Sequence, residues 1–238
     1  MQLLELKDVS FSYDDKPPLN RISLNIDIGQ FVCLIGPNGS GKTTLLKGLM
    51  GFLPQRSGSR VVCDRRNPRP EELRGLVGYI PQRLNLDPAV PVKVEEFLAL
   101  KQNVTMSEQE VNLLSVKFDL EKIKQRSMHS LSAGEQQRVF LLFSILSEPK
   151  LLLLDESLEG TDIKVQHSIF KELMTRVKNH KMSVVLVSHD ISAVSEWATR
   201  AVCLGPNIVF DGDPTSADFH TCLHKTYGES SFIHDHAH

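Results

Sequence analysis

The sequence predicts an α/β fold: a mostly parallel sheet, an antiparallel β layer ahead of it, and a helical section inserted partway along the chain. Three patterns carry this reading. Short, unbroken apolar runs recur at Phe31 to Ile35, Leu76 to Ile80, Leu151 to Leu154 and Ser183 to Val187, each followed by polar or Gly-rich residues and then helix-period sequence. That alternation builds parallel sheets. Before the first run the chain instead alternates apolar and polar residues, and between about Pro88 and Lys150 the strand signals disappear.

In order along the chain, Leu3 to Phe11 and Leu19 to Ile28 predict the antiparallel layer. The second segment places Leu19, Ile22, Leu24, Ile26 and Ile28 on one face, with a single slip at Asn20 and Arg21. FVCLI, Phe31 to Ile35, is apolar on both faces, as a fully covered parallel strand must be, and Gly36-Pro37 ends it. The stretch from Arg56 to Arg74, rich in Arg, Gly and Pro, reads as an exposed connection. VKVEEFLAL, SEQEVNLLSVKF and AGEQQRVFLLFSILSE carry helix-period apolar residues. The expected organisation is a single domain: residues 1–87 and 148–218 form the core with its β layer, 88–147 a helical subdomain, and 219–238 a His-containing tail.

At 238 residues and 41% hydrophobic content, the chain can bury a substantial core. Its formal net charge of -2 supplies no overall positive field for nucleic acid or anionic membrane, so small ligands and protein partners are favoured and no nucleic acid is expected. Cys33, Cys63, Cys203 and Cys222 are scattered without a C-x-x-C pair and read as reduced core thiols. No apolar run approaches the roughly 18 residues of a spanning helix, and the start, MQLLELKD, lacks a secretory pattern. The expectation is a cytoplasmic protein that another chain must hold at any membrane.

Gly36-Pro37-Asn38-Gly39-Ser40-Gly41-Lys42-Thr43 fits G-x-x-x-x-G-K-[ST] between a buried strand and the helix-like TTLLKGLMG, which begins at Thr43 and Thr44. Glycines let successive N–H groups face inward, and the helix N-terminus adds the positive end of its dipole, so the segment suits phosphate oxygens. Lys42 would reach the β- and γ-phosphates, and the Thr43 hydroxyl would ligate Mg²⁺. A P-loop NTPase core follows. The loop alone does not separate kinase, GTPase and motor.

Leu151 to Leu154 run into Asp155-Glu156, an apolar strand ending in two carboxylates. Asp155 would hold the Mg²⁺ shell, and Glu156 would polarise water attacking the γ-phosphate. The strand's expected neighbour in the sheet is the one leading into the phosphate loop.

With these residues in hand, the chain resembles the nucleotide-binding subunits of ABC transporters over nearly its whole length. The resemblance places Tyr13 as the aromatic stacking on adenine and Gln82, in VGYIPQR, as the glutamine that touches Mg²⁺ and water and couples to the membrane partner. It matches Leu131-Ser132-Ala133-Gly134-Glu135, followed by Gln136, Gln137 and Arg138, to the signature segment that contacts the γ-phosphate held by the opposite subunit. Asp162 corresponds to the acid of the loop crossing the dimer interface, and His189, in LVSHD, to the γ-phosphate-sensing histidine. Read alone, Ser132 is equally an N-cap with Glu135 completing an S-x-x-E capping box. The pattern departs from the family at Ala133, Glu135, Ser157 and Thr161, which replace glycine, glutamine, proline and leucine.

The resemblance implies a P-loop core of the RecA-like kind and an ATPase using ATP and Mg²⁺ that works as a nucleotide-sandwich homodimer. It would dock on integral membrane permease subunits and be served indirectly by a substrate-binding protein. Within the family, GYIPQRLNLDPAVPVKVEEFLAL and the stretch from Leu131 to Asp162 look most like subunits of zinc and manganese uptake systems. The ending Phe232-Ile233-His234-Asp235-His236-Ala237-His238 alternates imidazole and carboxylate, groups that suit Zn²⁺. A non-transport ATPase of DNA repair or translation, or a transporter of non-metal cargo, remains the alternative.

Overall fold

The computed structural model describes residues 1–12, 19–82, 91–101, 104–158 and 161–227. Tyr13 and the histidines of the C-terminal ending lie outside them.

An antiparallel sheet forms first, from β1 (Gln2–Phe11), β2 (Leu19–Asp27), β4 (Gln55–Val62) and β5 (Arg65–Arg66), in the order β2-β1-β4-β5. The slip in the β2 pattern is a physical irregularity. The β1/β2 register shifts on either side of Val9, Arg21 takes a left-handed φ of 51°, and its N–H donates to Ser10 Oγ at 3.0 Å. An extra residue is thereby absorbed while the apolar face keeps its aim.

The second sheet has the order β10-β9-β3-β8-β7-β6. Its strands are β3 (Phe31–Ile35), β6 (Val77–Ile80), β7 (Leu151–Asp155), β8 (Ser183–Val187), β9 (Arg200–Leu204) and β10 (Ile208–Gly212). All its pairs are parallel except β10 with β9. β3 shows why its run is unbroken. Phe31, Cys33 and Ile35 enter one core with residues of the helices, while Val32 and Leu34 enter a second core shared with the antiparallel sheet. A strand covered on both faces has no polar side to display.

The helices are α1 (Lys42–Leu49), α2 (Val94–Ala99), α3 (Glu108–Lys117), α4 (Ala133–Ile145), α5 (Ile163–Asn179), α6 (Ile191–Trp197) and α7 (Ala217–Tyr227). Helices α2 to α4 fill the section where strand signals vanish, and none of the described helices is long and apolar enough to cross a membrane.

Three expectations need correction. The strand carrying Asp155 and Glu156 is not beside the phosphate-loop strand, because β8 lies between β7 and β3. β8, SVVLV, is buried along its whole length and pairs through its backbone with β3 on one side and β7 on the other. Next, the segment from Arg56 to Arg74 is not merely an exposed connection, since its first half is strand β4. Arg60 within it is buried and donates to the carbonyls of Gly48 and Pro68. Finally, the section from residue 219 is folded as far as Tyr227: Phe219 and Leu223 of α7 are fully buried, with the Phe219 ring 5.3 Å from that of Phe210.

Candidate functional site

The loop from Gly36 to Gly41 joins β3 to α1, and its end is shaped by Gly41, the N-cap of α1, at φ 98°. A Cβ there would stand in the left-handed region and within 2.6 Å of the Leu19 side chain, so only glycine fits. Asn38, Gly39, Gly41, Lys42, Thr43, Thr44 and Glu156 line a cleft of about 190 Å³ over the start of α1. The helix N-terminus, with its unpaired N–H groups, opens into that cleft.

Lys42 is almost fully buried and turns its ammonium onto the loop itself, donating to the carbonyls of Gly36 at 2.8 Å and Pro37 at 3.1 Å. Burial pushes its pKa down, with Glu156 and Asp155 acting in the opposite sense. Although β8 intervenes, α1 packs against β7, and Thr43 Oγ1 donates to Asp155 Oδ1 at 3.0 Å. Asp155 is 1% exposed and also accepts from the Tyr79 hydroxyl at 3.4 Å. Burial raises its carboxyl above the ordinary value, opposed by the Thr43 hydrogen bond.

Glu156 sits one residue past β7 with φ 50°, a left-handed conformation that costs a non-glycine residue roughly 1–2 kcal/mol. This turn brings its carboxylate between two partners. Oε1 lies 3.0 Å from His189 Nε2, and Oε2 accepts from Gln82 Nε2. His189 follows β8, and Gln82 follows β6, so three parallel strands deliver the three side chains to one edge of the sheet. Hard oxygen donors at Thr43 and Asp155, beside a cradle for phosphate, fit a hydrated Mg²⁺.

The family described as ABC transporter matches residues 19–159. The chain belongs to that family, as an ATP-binding subunit that hydrolyses ATP. The zinc import ATP-binding protein ZnuC of Pseudomonas fluorescens strain Pf0-1 is 35% identical over 99% of this chain and 89% of its own length. The same-named protein of Rickettsia bellii is 31% identical over 99% and 98%. Among solved structures, an ATP-binding subunit of an ABC transporter superposes with a TM-score of 0.81 at 27% identity, covering 94% of this chain and 95% of that one. A dimeric ATP-binding cassette in a post-hydrolysis state with ADP and Pi gives 0.75 at 25% identity, covering 90% and 99%.

Ser132, Glu135 and Asp162, also predicted for this ABC ATPase, are engaged in capping helices α4 and α5. Ser132 is the N-cap of α4: its hydroxyl accepts from Glu135 N–H at 3.3 Å, and Glu135 Oε2 accepts from Ser132 N–H at 2.7 Å. The capping box read from S-x-x-E is therefore present. Ser132 and Ala133 are exposed, with Gly134 in the first turn. Asp162 caps α5, accepting from the N–H groups of Lys164 at 2.9 Å and Val165 at 3.4 Å. Among the described residues, no hydrogen bond joins Ser132, Glu135 or Asp162 to the phosphate loop. One link does run between α4 and the cluster, as Gln137 Nε2 donates to the Gln82 carbonyl at 3.4 Å.

Sequence reasoning missed two participants. Tyr79, three residues before Gln82, holds Asp155 from the neighbouring strand, and Arg126 pairs with Glu135 at 2.9 Å. The first was discoverable, because parallel register sets Tyr79 opposite Leu153 and so beside the strand end. Nothing in the periodicity announces the second.

Proposed function

We propose that this ATPase drives the uptake of zinc, or a chemically related divalent metal ion, through a separate membrane permease. The observation that carries the reading is similarity at 31–35% identity, over nearly the whole chain, to proteins named zinc import ATP-binding proteins. ATP would lie with its phosphates on the N–H groups of Gly39 to Thr44 and with Lys42 swung from its loop carbonyls to the β- and γ-phosphates. Thr43 and Asp155, with Gln82 nearby, are the residues to hold Mg²⁺, which would neutralise phosphate charge. Glu156 acts as general base toward the attacking water, and Gln82 and His189 fix the orientation of its carboxylate.

The α4 N-terminus supports a shared site. It presents Ser132, Ala133 and Gly134 at the surface, at the positive end of a helix. In a head-to-tail pair of chains this end would close over the nucleotide of the partner, with Asp162 at the seam. ATP binding would then favour the closed pair through γ-phosphate contacts, and product release would reopen it, moving the permease. Metal entry into proteoliposomes containing this chain, its permease and the metal-binding protein tests the reading. ATP-dependent Zn²⁺ accumulation is expected. ATPase activity in Mg²⁺ that neither Zn²⁺ nor another candidate cargo metal alters, together with no metal uptake, would reject metal as the cargo.

A further inference from the structure

Helix α7 touches the first glycine of the motif, and neither Gly36 nor Tyr227 is among the residues that line the nucleotide cleft. The N–H of Gly36 donates to the Tyr227 hydroxyl at 2.7 Å, across 191 positions of sequence. We infer that Tyr227 is a positioning residue for the phosphate loop, through which α7 sets the affinity of the chain for nucleotide. This rests on ATP binding at the loop and is independent of the cargo.

Gly36 is wedged from several sides. At φ 148°, a Cβ on it would fall 2.1 Å from the Leu204 carbonyl at the end of β9 and 2.9 Å from Ser40 Oγ. Its carbonyl accepts from Lys42 Nζ and its N–H is held by Tyr227, so the residue is fastened at both ends. The two fastenings differ in what ATP does to them. Lys42 lines the cleft and must leave the Gly36 carbonyl to reach a phosphate, whereas Tyr227 does not line it and has no reason to move. In the nucleotide-bound chain, the tyrosine bond is the one that keeps Gly36 in place once the lysine has gone. The bound state therefore depends on Tyr227 more than the free state does, and that difference is an affinity.

The helix is firmly seated for this task. Phe219 and Leu223 are buried, and the Thr226 hydroxyl lies 3.7 Å from Cys203 Sγ and 3.8 Å from Cys222 Sγ. Burial pushes the Tyr227 phenol above its usual value, so it stays neutral and acts through a hydrogen bond, not a charge.

The test is Tyr227→Phe in the full chain, which keeps the ring and removes the acceptor. Once the phosphates have drawn Lys42 away, the variant's bound state has neither fastening, whereas its free state keeps the lysine. The Kd for MgATP should therefore rise about tenfold, with KM rising more than kcat falls, while the melting midpoint of the nucleotide-free protein moves by less than about 4 °C. AMP, which lacks the phosphates Lys42 would reach, should bind the variant and the parent alike. An unchanged ATP affinity would overturn the inference, as would an affinity loss that extends equally to AMP. Should the variant not fold, hydrogen exchange in the parent chain still decides: a slowly exchanging Gly36 amide is expected, and a rapidly exchanging one refutes the contact.

Discussion

Replacing Glu156 with glutamine separates chemistry from architecture. The carboxylate sits between His189 at 3.0 Å and Gln82, on a backbone held at φ 50°. Glutamine preserves the length and planarity of the side chain. Its amide can meet both neighbours, with the Gln82 side chain turned so that its oxygen accepts, and the left-handed strain is the same in both proteins. Stability should accordingly change by less than about 1 kcal/mol. The amide cannot take a proton from water, however, and a positioned base contributes typically 10²- to 10⁴-fold, or about 2.7–5.4 kcal/mol of barrier at 1.36 kcal/mol per tenfold. Steady-state ATPase measured with the permease present, alongside equilibrium ATP binding and gel filtration, reads each part. Turnover should fall by that factor with ATP affinity retained, and an ATP-bound dimer should accumulate because hydrolysis no longer reopens it. A variant that hydrolyses ATP at the parental rate would refute the role of Glu156 as base. A variant that is inactive but also melts far below the parent would show that the side chain is structural.

Asp155→Asn should abolish Mg²⁺-dependent hydrolysis yet stabilise the nucleotide-free protein by about 1 kcal/mol, because it removes a charge whose burial is costly. The pH profile checks this in melting experiments without nucleotide. The folded carboxyl titrates above its ordinary 3.8, so the folded state holds its proton longer, and parental stability declines as pH climbs from about 3.8 through the raised value. The asparagine variant should lack that decline. Ala133→Gly, at the exposed first position of α4, should tighten the ATP-induced dimer or raise turnover by removing a methyl from the helix end, against up to about 1 kcal/mol of lost helix propensity; unchanged dimerisation and turnover would mean the methyl has no role. Truncation before Phe232 should abolish a weak Zn²⁺ affinity that itself fades as pH falls through about 6.5; equal calorimetric binding by both chains would remove the ending from the zinc argument.

What was legible in the sequence was what local physics dictates. β3, β7 and β8 announce themselves because a strand covered on both faces must be apolar throughout, and the α4 capping box because Ser132 and Glu135 stand three residues apart. β4 was illegible for the complementary reason. Its first half, Gln55 to Ser59, shows polar side chains to solvent, and its one buried cation, Arg60, is satisfied by carbonyls that no local pattern reveals. The strand order failed too. Motif order along a chain does not state which strand lies between two others, and β8 arrives only after a long helix. Tyr79 to Asp155 and Tyr227 to Gly36 join residues 76 and 191 positions apart, beyond any periodicity.

The departures from the family pattern at the start of α4 make sense only once the fold supplies their neighbours. A glutamate where glutamine is usual would put a negative charge beside the approach of a γ-phosphate. Here that charge is already engaged. Glu135 Oε2 accepts from the Ser132 N–H, and Oε1 pairs with Arg126 at 2.9 Å. Although partial burial pushes its carboxyl upward, the Ser132 hydrogen bonds and Arg126 hold it below the ordinary value, so it is ionised. Arg126 Nη2 also donates to the Ser130 carbonyl, tying the segment before the helix to the same guanidinium. The arginine returns the positive charge that the glutamate removes and holds the carboxylate toward its own helix end, which would leave the Gly134 backbone and the helix dipole to face the nucleotide of the proposed partner. An ion pair 43% exposed on the arginine side contributes little to stability by itself. In the proposed pair of chains its consequence would lie in the direction of the local field, which would keep a segment with an added acid compatible with phosphate.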